Sequence, residues 1–287
     1  MSVGSGRVYH ANINCSALNR SLGLYRDVLG LVPVVYTAPD AAQNGAVFGL
    51  ASAQWEAWIL GSVDVPAGSG PVVDLLNWKV PGPVPLSEGA VGARGTGFRA
   101  AVLARRDPLE QCRRLEAAGV RVSSADPASG SGQLGAREVR DHDGTALEVV
   151  SAERDAFAGL VVGCSDLSAS LPFYRDRLGF TVEQEAEERP DRARAVLADA
   201  GGFRVHLREL GSDTRIGRLP ANALGIFRVA LLTTDIAADY AELRSAGVYC
   251  WSAPADLEMG PGLGSLKAML FADPDGAAWE LIEPGPR

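Results

Sequence analysis

The chain has 287 residues, of which 47% are apolar and 22% are charged, which argues against long disordered segments. A net charge of −8 argues against nucleic acid as a partner, because that binding needs a basic surface. No apolar run approaches the roughly 20 residues of a membrane helix. The amino terminus also lacks the apolar core of a signal peptide. We therefore expect a cytoplasmic protein of about two domains, with no membrane partner.

Four sequence blocks recur in the same order in the two halves of the chain. The paired blocks are 21–31 and 170–180, 98–103 and 227–232, 115–120 and 243–248, and 141–150 and 273–282. The first pair is written SLGLYRDVLGL and SLPFYRDRLGF. Ordered self-similarity of this kind indicates a duplicated unit, here of about 140 residues.

The first half of each repeat begins with a strand, Val8–Asn14 or 160–164. A helix follows over 20–29 or 170–178 and ends at Gly30 or Gly179, where glycine accommodates the left-handed conformation. Three strands are predicted next. They cover 31–36, 46–50 and 55–60 in the first repeat, and 180–183, 194–198 and 204–210 in the second.

The second half of each repeat has the same order of elements. A strand over 98–104 or 227–233 precedes a helix over 108–118 or 236–246. A D-x-D-G turn then leads into a last strand, 146–150 or 277–282. The chain therefore contains four β-α-β-β-β modules, with a domain boundary that gives domains 1–153 and 154–287.

These modules, the S-L-x-x-Y-R-D-x-L-G helix and the D-x-D-G-x-x-x-E strand resemble the vicinal oxygen chelate superfamily. That superfamily includes glyoxalase I, extradiol dioxygenases and bleomycin- and fosfomycin-resistance proteins. The resemblance implies an α+β fold in which the modules pair into two domains. Each domain is then a curved, mostly antiparallel sheet that forms a cup with helices outside. Metal ligands in the superfamily project into the cup from the first and a later strand of each module.

The resemblance implies one ligand position kept in each module. The retained residues are His10, Glu148, His206 and Glu280. The remaining positions fall near Ile59, at Phe98 or Arg99, at Gly159, and at Phe227 or Arg228. If consecutive modules pair, His10 shares a cup with Glu148, and His206 with Glu280. If the first module pairs with the fourth, His10 shares a cup with Glu280. The sequence leaves both pairings open.

Two ligands per cup are fewer than zinc or non-haem iron sites use. The missing ligands argue against an extradiol dioxygenase and against glyoxalase I. His10 and Glu148 are the metal-ligand candidates, and Asn12, Asp74 or substrate oxygens are the groups that could complete such a site. Without a metal, a His and a Glu form an acid–base couple.

The predicted catalytic residues are His10, Glu148 and Asn12, since Asn12 shares a strand face with His10. His206 and Glu280 are the candidates for a second cup. The predicted ligand-binding residues are Trp58, Trp78, Phe98 and Arg99.

The leading functional hypothesis is a vicinal-oxygen-chelate-type enzyme acting on a small oxygenated secondary metabolite, either aromatic or not. Its chemistry would be isomerisation, cyclisation, ring opening or elimination, with or without a divalent metal. The alternative is a non-catalytic protein that sequesters an antibiotic or a pathway intermediate. We expect a monomer or a homodimer.

Overall fold

The computed structural model describes residues 2–66, 68–85, 95–125, 130–187, 193–211 and 216–285. Module one contains β1 (Val8–Asn14), α1 (Leu18–Leu22), β2 (Val32–Thr37), β3 (Gln43–Asn44), β4 (Ser52–Gly61) and β5 (Val72–Val80). Module two contains β6 (Gly97–Arg105), α2 (Pro108–Ala117), β7 (Val122–Ser124), β8 (Arg137–Arg140) and β9 (Ala146–Ser151). Module three contains β10 (Ala156–Cys164), α3 (Leu167–Pro172), β11 (Thr181–Glu187), β12 (Ala193–Ala198) and β13 (Arg204–Glu209). Module four contains β14 (Gly225–Leu232), α4 (Ile236–Ser245), β15 (Ala255–Glu258), β16 (Ser265–Ala272) and β17 (Ala278–Pro284).

The strands form two curved sheets, and each sheet takes one module from each repeat. One sheet has the order β15-β16-β17-β14-β1-β5-β4-β2, with β3 on β4, and the other β11-β12-β13-β10-β6-β9-β8-β7. We call the concave side of the first sheet cup A and that of the second sheet cup B. Modules one and four thus form cup A, and modules two and three form cup B. The predicted α+β fold with paired modules is confirmed. The predicted boundary near residue 153 separates the two sequence repeats and stays a prediction.

Each cup is built around one antiparallel pair of first strands. His10 of β1 lies opposite Ala230 of β14, and Val161 of β10 lies opposite Ala100 of β6. In every module the first strand also pairs in parallel with the last, as β1 does with β5. Side chains from the first and last strands of two modules therefore meet on the floor of each cup.

The repeated sequence blocks join the two modules of each repeat. In both repeats the helix of the first module continues into a π-helical turn that carries a buried tyrosine. The Tyr25 hydroxyl donates to Asp141 at 2.9 Å, and the Tyr174 hydroxyl donates to Asp273 at 2.7 Å. These aspartates also accept backbone amides in the D-x-D-G turns. The most visible repeat motif is therefore structural.

In module one, one predicted element is wrong and one strand was missed. Residues Ala46–Phe48 form a 3-10 helix rather than part of a strand, and β5 was not predicted as a strand. Seven consecutive residues of β5 are buried, because the strand lies between β1 and β4 in the middle of the sheet. Such a strand lacks the alternation of apolar and polar residues that marks a half-buried strand. Within the described ranges, no helix has the length and apolar character to cross a membrane.

Candidate functional site in two unequal cups

The floor of cup A carries four ionisable side chains from four neighbouring strands. They are His10 of β1, Asp74 of β5, Arg228 of β14 and Glu280 of β17. Asn12 of β1 lies opposite Asp74, and Glu280 lies opposite Ala230, which in turn pairs with His10. Asp74 therefore occupies the late-strand position of module one, so the position near Ile59 of β4 that the resemblance implies is wrong.

Arg228 lies between the two carboxylates. Its Nε is 2.9 Å from Glu280 Oε2, and its Nη2 is 3.0 Å from Asp74 Oδ2. Asn12 Nδ2 also donates to Asp74 Oδ2 at 3.2 Å. His10 Nε2 lies 3.1 Å from Glu280 Oε2 and 4.0 Å from Asp74 Oδ2. The guanidinium thus holds both carboxylates in place beside the imidazole.

All members of this cluster are buried, and charge pairing compensates for the loss of hydration. Burial by itself would raise the pKa of Glu280. The positive charge of Arg228 and the proximity of His10 outweigh burial and lower that pKa below its ordinary value. Glu280 is therefore ionised at neutral pH and can stabilise a positive charge on His10.

Cup A also contains buried polar atoms that make no hydrogen bond within the described part of the chain. On the floor these are His10 Nε2, Asn12 Oδ1 and Arg228 Nη1, and on the wall Thr37 Oγ1 and Trp55 Nε1. Although His10 Nε2 is close to Glu280, the two atoms are not aligned for a hydrogen bond. Unsatisfied buried polar atoms are uncommon, and their concentration in one cup indicates a site for a polar ligand or ordered water.

Aromatic side chains form the wall above this polar floor. The Phe48 ring centre is 5.8 Å from Trp55 and 5.3 Å from Trp78. The Arg228 guanidinium lies 5.4 Å from the centre of the same Phe48 ring, within the range of a cation–π contact. Trp78 Nε1 donates to Asn14 Oδ1 at 3.1 Å. Phe48 therefore separates the charged floor from the tryptophans.

The two edges of the cup A sheet come together. The Gln43 side chain donates to the Glu258 carbonyl at 2.8 Å and accepts from the Glu258 amide at 2.9 Å. Side chains at Gly260 and Gly262 would collide with the backbone of residues 38 and 36, at the end of β2. These contacts curl the sheet around its own interior, which the aromatic wall fills.

Cup B holds the other retained pair. Both oxygens of Glu148 on β9 accept the Ser131 amide, at 2.9 and 3.0 Å. His206 on β13 lies beside the Ser131 backbone, which favours the charged form of the imidazole. Burial raises the pKa of Glu148, whereas burial and then the charges of Arg208 and Arg204 lower the pKa of His206 to about 4. His206 is therefore neutral at pH 7, and Ser131 contacts both members of the pair.

The inside of cup B is more open than that of cup A. Its inner face carries small side chains, among them Ala100, Ala104 and Ala146, where cup A has tryptophan and phenylalanine. A concavity of about 590 Å³ extends from Ser131 to Arg194, and His206 lines both it and an adjoining space of about 240 Å³.

A family model, described as the Glyoxalase/Bleomycin resistance protein/Dioxygenase superfamily, matches residues 7–149 and 157–281. The chain belongs to this superfamily. The match covers both repeats, in agreement with the duplicated modules and the two cups. No curated protein matches the sequence.

Solved structures of the superfamily share this fold over the whole chain. Glyoxalase I from Zea mays is 19% identical with a TM-score of 0.67, and the match covers 97% of this chain and 92% of that one. A putative dioxygenase from Bacillus subtilis subsp. subtilis str. 168 is 16% identical with a TM-score of 0.66, and the match covers 100% of this chain and 87% of that one. At these identities the similarity establishes the fold alone.

The structure separates His10 from Glu148, which were proposed to act together. His10 and Asn12 lie in cup A with Glu280, and Glu148 lies in cup B with His206. The sequence could not decide the pairing, because either arrangement of modules gives each cup one His and one Glu. Arg228 was overlooked as a functional residue, although the repeated Phe-Arg pair at 98–99 and 227–228 marked it.

The predicted ligand-binding residues also separate. Trp78 lies on the wall of cup A. Trp58 lies on the opposite face of β4, where it packs on the main core and on Tyr36. Phe98 packs on Trp279 in the core between the sheets, and Arg99 donates to the Gly95 carbonyl beside a crevice between the two sheets. Of these four residues, the structure brings only Trp78 together with His10.

The residues of cup A do not fit a divalent metal ion. Among the described residues, no three His, Cys, Asp or Glu side chains are arranged to hold one. The position of Arg228 explains why a metal does not fit. Its positive charge lies between Asp74 and Glu280 and contacts an oxygen of each. A dication bound to the same oxygens would be repelled by the guanidinium. In cup B, Glu148 and His206 supply only two ligands.

Proposed function

We propose that the protein is an acid–base enzyme that acts on a small oxygenated metabolite in cup A, with Arg228 in place of a metal ion. The observation that carries this proposal is the buried cluster of His10, Glu280, Arg228 and Asp74, together with the unsatisfied atoms that surround it. A structural ion-pair network has no need of unpaired hydrogen-bonding atoms, whereas a binding site does.

His10 is the residue that takes the proton. Its Nε2 is buried, is not aligned with a hydrogen-bond partner and lies 3.1 Å from the ionised Glu280 carboxylate. When Nε2 accepts a proton from the substrate, the resulting imidazolium is stabilised by that carboxylate. The same imidazolium can then return the proton to another atom of the substrate.

Arg228 stabilises the negative charge that the proton transfer creates. Two of its nitrogens hold Glu280 and Asp74, and its Nη1 has no hydrogen-bond partner in the described chain. This nitrogen can donate to an enolate or alkoxide oxygen in a site from which water is excluded. Isomerisation, cyclisation, ring opening and elimination can all begin with such a step.

The aromatic wall favours a flat substrate. Phe48 lies over Arg228, so a ligand that reaches the guanidinium must stack on this ring or displace it. Trp55 Nε1 and Asn12 Oδ1 offer one donor and one acceptor to the polar groups of the ligand. An aromatic hydroxyketone has the required combination of a planar body and adjacent oxygens.

Hydrogen–deuterium exchange tests the proposed proton transfer. 2-Hydroxyacetophenone in D₂O serves as the probe, because its α-protons exchange through an enolate that NMR follows. We expect the wild-type protein to accelerate exchange and His10→Gln to reduce the acceleration by about 100-fold or more. His142→Gln is the matched control, since His142 is exposed on a D-x-D-G turn. Equal acceleration by the wild type and His10→Gln would refute the role of His10.

Sequestration without turnover is the second candidate function, and the aromatic wall of cup A favours it. Trp55 and Trp78 are within ring contact of each other, so a bound aromatic ligand would change their fluorescence. In a protein that only binds, Phe48→Ala would weaken binding of the hydroxyketone, while His10→Gln would bind normally. Binding in the absence of any exchange activity would favour this alternative.

A further inference from the structure

His206 of cup B is a buried histidine with an unsatisfied ring nitrogen. Its side chain is 3% exposed, and Nδ1 makes no hydrogen bond within the described residues. A buried nitrogen of this kind has lost its hydration without gaining a partner in the protein. Such atoms are uncommon in folded proteins and mark places where a ligand or an ordered water binds. The Nδ1 atom is therefore a point at which a polar group of a ligand would be held.

His206 lies between two valines on the inner face of the sheet. It is directly opposite Val196 of β12 and Val161 of β10. Val161 in turn lies opposite Ala100 of β6, and Ala100 lies opposite Ala146 of β9. Residues paired across strands share a face, so these five side chains form one row across cup B. Within this row, His206 is the residue whose side chain can form a hydrogen bond.

The charged side chains around His206 already interact within the protein. Arg204 pairs with Glu183 at 2.7 Å. Glu148 accepts a backbone amide with both of its oxygens, and the charge of Arg208 also acts on this carboxylate. His206 itself is neutral at pH 7. A neutral imidazole offers hydrogen bonding without charge, which favours a neutral ligand over an ionised one.

The space of about 240 Å³ that His206 lines is aliphatic on its sheet side. The side chains there belong to the alanine and valine cluster of the inner face, and they are Val102, Ala104, Val150 and Ala158. An apolar cavity of about 150 Å³ already holds a benzene molecule. The space beside His206 therefore accommodates a hydrocarbon body of about six carbon atoms together with a polar substituent.

We infer that cup B binds a small neutral aliphatic alcohol, whose hydroxyl group bonds to His206 Nδ1 and whose hydrocarbon body fills the alanine- and valine-lined space. A hydroxyl group both donates and accepts, so it matches Nδ1 whether that nitrogen carries the proton or the lone pair. An ether or a ketone only accepts and matches one of these two tautomers. The site is separate from the acid–base cluster of cup A, because the two lie on different sheets.

Titration calorimetry of the full chain compares cyclohexanol with chlorocyclohexane, in which chlorine takes the place of the hydroxyl group. We expect cyclohexanol to bind about tenfold more tightly, because chlorocyclohexane covers Nδ1 without bonding to it. His206→Leu should abolish this preference, since the variant has no ring nitrogen to pair with the hydroxyl group. His142→Leu, at an exposed histidine, is the matched control and should retain the wild-type preference.

Imidazole nitrogen NMR of the ¹⁵N-labelled protein locates the bound alcohol. The chain has three histidines, of which His10 lies in cup A, His142 is exposed and His206 lies in cup B. Cyclohexanol should shift the Nδ1 signal of His206 and leave the signals of His10 unchanged. Ala158→Leu, which fills the aliphatic space, should weaken cyclohexanol binding by about tenfold or more. Ala117→Leu, at an exposed position of α2, is the matched control and should bind normally.

Four outcomes would overturn the inference. Cyclohexanol and chlorocyclohexane could bind equally well to the wild type, or the preference could survive in a folded His206→Leu variant. Cyclohexanol could shift the signals of His10 instead of those of His206, which would place it in cup A. It could also fail to shift the His206 signals up to its solubility limit, which would show that ordered water alone meets Nδ1.

If His206→Leu does not fold, as judged by circular dichroism, the Ala158→Leu variant decides in its place, and unchanged affinity there would refute the site. His10→Gln should bind cyclohexanol as the wild type does. Failure of the cup A proposal and failure of this one are therefore distinguishable.

Discussion

His10 and Glu280 come from opposite ends of the chain, and their side chains lie 3.1 Å apart on the floor of cup A. The contact exists because β1 pairs with β14, which joins the first module to the fourth. Neither repeat contains the whole cluster, since His10 and Asp74 come from the first and Arg228 and Glu280 from the second. The duplication therefore gives one chain two cups of different composition, one with a charged floor under aromatic rings and one open and rich in arginine.

Removing the Glu280 carboxylate should destabilise the fold. In Glu280→Gln the buried Arg228 loses one of its two carboxylates, and we expect the free energy of unfolding to fall by about 3 kcal/mol. Urea denaturation at pH 7 measures this loss. Glu138→Gln, which removes a carboxylate from a surface pair, should change stability by no more than about 1 kcal/mol. Comparable small losses in both variants would show that the cluster is not electrostatically coupled.

Arg228→His should create affinity for a divalent metal. The substitution removes the positive charge between Asp74 and Glu280 and places a second imidazole near His10, so that four ligand side chains share the floor of cup A. Equilibrium dialysis against Zn²⁺ or Ni²⁺ with elemental analysis should find one ion per chain in this variant. Arg99→His, at the corresponding position of β6, is the matched control and should gain no such site. Stoichiometric, His10-dependent metal in the wild type would contradict the assignment of Arg228 as its replacement.

Tyr174→Phe should destabilise the protein without affecting either cup. The variant leaves the buried Asp273 carboxylate without its 2.7 Å hydrogen bond, at a cost of about 1–3 kcal/mol. Tyr25→Phe should behave in the same way, because Tyr25 donates to Asp141 at 2.9 Å in the other repeat. Thermal unfolding measures the loss, and α-proton exchange should stay at the wild-type level. A loss of exchange activity beyond the loss of stability would assign the motif a functional role.

The number and order of the modules could be predicted from the sequence, because they depend on local signals. The D-x-D-G turns and the glycines after the helices each fix a backbone conformation within a few residues. The pairing of modules depends on long-range contacts such as that of β1 with β14, which leave no local pattern. The sequence predicts Asp74 only as an auxiliary ligand, because its strand is buried on both faces and shows no alternation. The resemblance places Arg228 at a lost ligand position, whereas in the structure its charge organises the cluster.

His206 should make stability depend on pH in a defined direction. Its pKa is about 4 in the folded protein, because of burial and the charges of Arg208 and Arg204, compared with an ordinary value of 6.5. Between pH 6.5 and about 4 the unfolded chain therefore binds a proton at this residue that the folded protein does not. The free energy of unfolding should fall across this window by about 3 kcal/mol on account of His206.

His206→Gln isolates that contribution. Other groups titrate in the same range, among them Asp273, whose pKa burial raises to about 6 and which acts in the opposite direction. The quantity to measure is therefore the difference in unfolding free energy between the wild type and the variant, by urea denaturation at several pH values from 7 to 4. This difference should shift against the wild type as the pH falls, whereas the exposed His142→Gln should follow the wild-type curve. Parallel curves for His206→Gln and the wild type would show that His206 titrates normally, and hence that neither burial nor the arginines of cup B lower its pKa.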